Sequence, residues 1–206
     1  MTGVAVTLGL SSLALAAFPL ARPFFPFDPT TPTETLAGAS RAVTSPQWLV
    51  AHYLALIGFV LLLCVLPALH NRLAPAGTQC SVGLGVLLSG AGVALILPTL
   101  GVELYALPAI ARLFLDNPAV ASLVGSIYLG GATLVMILGL LLLAVGAIML
   151  ATAIARSRSL PTWAGITFAV GLALWCPLLP PAARVADGLL IGIGGIGLAW
   201  AIRRTA

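Results

Sequence analysis

The chain has 206 residues, 61% hydrophobic and only 7% charged, with a mean hydropathy of +1.17. A soluble domain carries about 25% charged residues, so this composition cannot give a fold of this size a polar skin, and an all-α integral membrane protein in contact with the lipid bilayer is expected. The net charge of +4 does not indicate nucleic acid, because the nine basic residues, all arginine, are scattered and form no stripe.

Residues 3–20 are apolar, with no positive residue before Arg22. A secretory signal needs a positive amino-terminal region, so the segment reads as a transmembrane helix. Residues 21–46 hold five prolines and the run PFFPFDP, followed by the polar TTPTET. Proline fixes the backbone and argues against a regular helix there. Phe24, Phe25 and Phe27 suit a membrane interface, so the loop is expected to lie as a cap over the outer face.

A span needs about 20 apolar residues to cross roughly 30 Å of hydrocarbon. Besides 3–20, the segments 47–69, 80–115, 118–155, 161–179 and 186–202 qualify or nearly do, giving about six transmembrane helices. Asp187 can cap the start of the last one. The third and fourth could each run about 54 Å. Fitting that length into the hydrocarbon requires a tilt of about 56°, beyond the usual 0–40° range. The two helices must therefore break or project. Asp116-Asn117-Pro118 supplies the joint, since Asn117 can cap a helix whose first residue is Pro118. Pro108 should bend the third helix by removing one hydrogen bond and crowding the carbonyl of Leu104.

With the amino terminus cytoplasmic, Arg72, Arg156, Arg158, Arg203 and Arg204 fall inside. Arg22, Arg41, Arg112 and Arg184 fall outside, beside Asp28, Glu34, Asp116 and Asp187. Basic residues near span ends set orientation. The tight RSR and RR clusters therefore favour both termini inside, with loops 21–46 and 180–186 outside. The single domain 1–206 would sit in a bacterial cytoplasmic membrane, because abundant Ala, Leu and Gly with arginine alone fit a high-GC genome. The excess helix length then lies outside, where Leu113 and Phe114 could meet the phenylalanines of the loop. An apolar surface of that size calls for a cover, either the loop or a partner.

About 20 residues from an inner end near 82 bring the third span to its outer boundary near 101, so Glu103 sits at that boundary. His52 enters about five residues down the second span, at similar depth. Trp48 and Tyr53 belong to the interfacial aromatic belt. The candidate polar cluster is therefore His52 with Glu103, accompanied by Tyr53, Tyr105 or Arg41. Glu103 cannot reach Arg112 along one helix, because nine positions at 100° each place them on opposite faces. His52 and His70 are separated by 18 positions, about 27 Å of helix, which excludes their sharing one haem.

No other catalytic or metal motif stands in a suitable context. Cys64, Cys80 and Cys176 share no metal-binding spacing, so the identity of any cofactor stays open. Gly188–Gly192, Gly195–Ala199 and Gly85–Ser89 have the small-xxx-small spacing of close helix packing. Three function classes fit. The first is a non-enzymatic accessory or scaffold subunit docking a membrane partner, or a second copy of itself, through the projecting hairpin. The second is a small transporter or proton-linked permease using Glu103. The third is a membrane redox protein or enzyme with a site near His52 and Glu103.

Overall fold

The computed structural model describes residues 2–24, 32–73, 79–120, 126, 131–176 and 179–204. All regular structure among them is helical. The helices are α1 (Thr2–Ala21), α2 (Pro32–Val43), α3 (Pro46–Leu73), α4 (Gln79–Gly101), α5 (Leu107–Asp116), α6 (Gly131–Ser157), α7 (Thr162–Leu174) and α8 (Pro181–Arg204). A π-helical turn, Val102–Ala106, joins α4 to α5 without a break. Five runs are long and apolar enough to cross a membrane: α1, α3, the run Gln79–Phe114, α6 and α8.

Three segments differ from their sequence-based expectations. The fifth expected span, 161–179, yields only the 13 residues of α7. At 1.5 Å per residue that is about 20 Å, short of the hydrocarbon thickness. Trp175 is already extended there, one residue before Cys176, which Pro177 biases away from helix. The proline-rich stretch was expected to be non-helical, yet its second half folds as α2. Pro32 occupies the first helical position, where a missing N–H costs nothing, and no proline follows until Pro46. The phenylalanines Phe25 and Phe27 lie outside the described residues. In the fourth segment, Asn117 Oδ1 accepts a hydrogen bond from the Ala119 N–H at 3.1 Å, but it caps only a three-residue 3-10 turn, Pro118–Val120. The long described helix of this segment begins at Gly131.

The six principal helices, α1, α3, α4, α6, α7 and α8, stand in a ring in chain order, each packed on the next, and α8 closes on α1. Neighbours run antiparallel. Gly58 of α3 meets Leu15 of α1, Gly85 and Gly92 of α4 meet Leu150 and Leu143 of α6, and Gly9 of α1 faces Ala199 of α8. An even number of alternating helices brings Thr2 and Arg204 to the same end, together with Arg72 and Arg156. The ring's interior is filled by Phe59, Leu62, Leu66, Leu143, Leu150, Phe168, Ile191 and Leu198, all buried. The outward faces carry Leu87, Leu134, Leu141 and Ile193, all exposed. Apolar residues inside and outside together define helices solvated by lipid.

Small residues set the helix spacing. A Cβ on Gly92 would fall 2.5 Å from the Leu143 amide nitrogen and 2.6 Å from the Gly139 carbonyl, so α4 and α6 touch backbone to backbone. The Gly188–Gly192 pair packs inside the chain, against Ala16 and Pro19 of α1.

A candidate clamp at the capped end of the bundle

Far from the arginine-rich end, α3 enters the ring beside the π-helical turn. Pro108 explains that turn. In an α-helix its ring would collide with the Leu104 carbonyl. Here the Leu107 N–H instead bonds back five residues, to the Val102 carbonyl. Continuing in that register, residue 108 would donate to Glu103, but proline has no N–H. The carbonyl that loses its donor is thus Glu103's. It accepts a hydrogen bond from the Trp48 indole Nε1–H, at 2.8 Å, across from α3. Trp48 is only 2% exposed. At the depth expected of the interfacial belt, the ring is thus turned inward, toward the unfilled backbone acceptor.

One turn further along α3, His52 is fully buried. Its Nδ1 lies 2.7 Å from the Trp48 carbonyl oxygen. A carbonyl only accepts, so Nδ1 carries a hydrogen. Nε2 lies 2.9 Å from a Glu103 carboxyl oxygen, at ion-pair distance though off the straight line of a good hydrogen bond. Two bare acceptors at that distance repel, so one more proton belongs to the pair. It is either an imidazolium beside a carboxylate or a neutral imidazole beside a carboxylic acid, and both forms contain the same number of protons.

Rings enclose the pair. Trp48 stacks on His52 with centroids 4.1 Å apart, and Phe18 of α1 meets it edge-on at 5.4 Å. Phe18 also contacts Trp175, which stands edge-on to Phe59. The Arg22 guanidinium covers Trp48 at 4.9 Å and Phe18 at 5.7 Å. Helices α1 and α3, the residue just past α7 and the α4–α5 turn therefore converge on this site.

Of the residues expected to cluster here, the structure brings together His52 and Glu103. Tyr53 and Tyr105 pair with each other edge-on, 6.5 Å apart, and both are exposed on the outside of the bundle. Arg41, on α2, is exposed as well. Trp48, Phe18 and Arg22 complete the site in the structure but were not assigned to it from sequence. Beyond the clamp, α5 buries Leu107, Ala111 and Phe114, spaced i, i+4, i+7 on one face, and packs against α2. Leu107 and Ala111 form a second small core with Val43 and Trp48. Leu113, expected to join this packing, points outward and is 57% exposed. The buried face of α5 is thus covered from within the chain, by α2.

Among the described residues no three His, Cys, Asp or Glu side chains are grouped to hold a metal ion. The three cysteines are free. Compared with known family models, curated proteins and solved structures, the chain matches none.

Proposed function

We propose that this chain is a non-enzymatic accessory subunit of a bacterial cytoplasmic membrane, with both termini cytoplasmic, which docks a membrane-protein partner at its capped outer end. One observation carries the reading. The α4–α5 run presents Tyr105, Ala109, Arg112 and Leu113 as an exposed stripe at helical spacing, with Tyr53 beside it. Tyrosine and arginine around an apolar residue are the types enriched where proteins meet. The clamp supports the reading, because the Trp48 indole bond to the Glu103 carbonyl and the close approach of His52 to Glu103 tie α3 to the base of the stripe. Rigid display lowers the ordering cost of binding. Native electrophoresis after mild solubilisation tests this. Wild type should migrate in an assembly larger than one chain, and Arg112→Glu with Leu113→Glu should release it. Single-chain migration in both cases would refute docking.

A second reading is favoured by the contact between His52 and Glu103: a proton-linked permease in which the pair holds the transported or coupled proton. Buried ionisable pairs in membrane helices commonly serve that role. In proteoliposomes, a proton flux that Glu103→Gln abolishes would establish it. Equal flux in wild type and variant would remove it.

A further inference from the structure

A second polar cluster lies at the same end, between α1, α7 and α8, sharing Phe18, Trp175 and Arg22 with the clamp. Asp187 is only 3% exposed, and its Oδ1 has no hydrogen-bond partner among the described residues. It lines a small cavity with Phe18, Pro19, Trp175, Cys176 and Arg184, with about 10 Å³ of room for a water-sized group. That is close to the space one water needs.

Arg184 lines this cavity, and Arg22 stands over the ring of Phe18, which lines it too. Each also has a shielded guanidinium nitrogen without a hydrogen-bond acceptor, Nε of Arg184 and Nη1 of Arg22. Both therefore lie close to Phe18, and Asp187 follows Arg184 by three residues, about one turn along α8. Aromatic faces hold both in place: Arg184 lies over Phe24 at 4.6 Å, and Arg22 over Trp48. An anion held by both guanidiniums would meet their unfilled N–H donors at Nε of Arg184 and Nη1 of Arg22. Guanidinium pairs suit phosphate in particular, with donors in a planar fork. Asp187 Oδ1, without a hydrogen-bond partner among the described residues and facing a space of water size, suits an ammonium hydrogen.

From this juxtaposition we infer that the cluster binds a zwitterionic phosphoamine, with phosphate on Arg22 and Arg184 and ammonium toward Asp187. The position at the helix ends places the site at headgroup level, where basic pockets take lipid phosphates. The same chemistry could come from a phosphatidylethanolamine headgroup or from free phosphoethanolamine, and the test separates them.

The full chain in detergent is titrated with phosphatidylethanolamine, phosphatidylglycerol and free phosphoethanolamine, with bound adducts read by native mass spectrometry. Wild type should retain phosphatidylethanolamine about tenfold more tightly than phosphatidylglycerol, the ratio expected for one charge-assisted contact. Asp187→Asn should erase that preference while keeping the weaker binding common to both lipids. Arg22→Gln with Arg184→Gln should weaken both lipids. Equal retention of the two lipids by wild type overturns the assignment without recourse to any variant. Adducts unchanged in the arginine variant overturn it as well. Binding of free phosphoethanolamine as tight as that of the lipid keeps the site and assigns it to a soluble ligand.

Discussion

Replacing Trp48 by phenylalanine tests the account of the π-helical turn. The substitution keeps an aromatic ring beside His52 but removes the indole N–H that reaches the Glu103 carbonyl at 2.8 Å. That carbonyl is buried and, with Pro108 in place, has no amide to take over. An unsatisfied buried acceptor costs about 1–3 kcal/mol, and the smaller ring adds a packing loss of its own. The two contributions separate in a double-mutant cycle with Pro108→Ala. Alanine restores an N–H at position 108, which can donate to Glu103 in the π register or to Leu104 in the α register. In either register the backbone is satisfied more nearly without the indole. Thermal or denaturant unfolding in micelles should therefore find Trp48→Phe less costly in the Pro108→Ala background, with a coupling of about 1 kcal/mol or more, well above the few tenths expected for independent sites. An equal cost in both backgrounds would refute the claim that Pro108 creates the acceptor Trp48 fills.

In ¹⁵N spectra of the protein in bilayers, His52 Nδ1 should be protonated, and Glu103→Gln should shift the Nε2 signal while leaving His70 unchanged; an unprotonated Nδ1 would contradict the clamp geometry. Gly92→Ala should destabilise the fold by about 1–3 kcal/mol through overpacking, because its Cβ would meet the α6 backbone at 2.5 Å; a neutral effect in unfolding assays would show that α4 and α6 do not touch there. Cysteine placed at Arg41 should react with an impermeant maleimide in intact cells, and cysteine at Arg204 should be protected; the reverse pattern would invert the topology.

Much of this architecture is legible in the sequence because lipid solvation imposes long apolar runs, and six of these appear between breaks of proline and arginine. Equal depth on neighbouring spans was enough to place His52 near Glu103, since depth follows directly from residue count. Depth says nothing about rotation about the helix axis, however. Tyr53 follows His52 and Tyr105 lies two residues after Glu103, so both share the pair's depth while pointing away from it. The role of Trp48 depended on a backbone event at the far end of the neighbouring helix α4. Pro108 disturbs a hydrogen-bond register, and a sequence scan reads it as a kink rather than as an unfilled acceptor. A signal existed: Trp48 and His52 are four residues apart and so share a helix face. Helix α2 was missed because proline was weighed as a breaker, although Pro32 falls where proline starts a helix. Glycine spacing marked the α8 seam, but the partner helix became known only when the ring closed on α1.

The proposed docking role rests on the exposed stripe, and site-specific photocrosslinking in intact cells tests it most directly. A photoreactive residue is placed at Leu113 or Ala109 on the stripe and, for comparison, at Ile57 or Leu141 on exposed apolar faces elsewhere. The account predicts one discrete protein adduct from the stripe positions, abolished by Arg112→Glu, and none from the comparison positions. The same adducts from all four positions, or no protein adduct from Leu113 and Ala109, would contradict it.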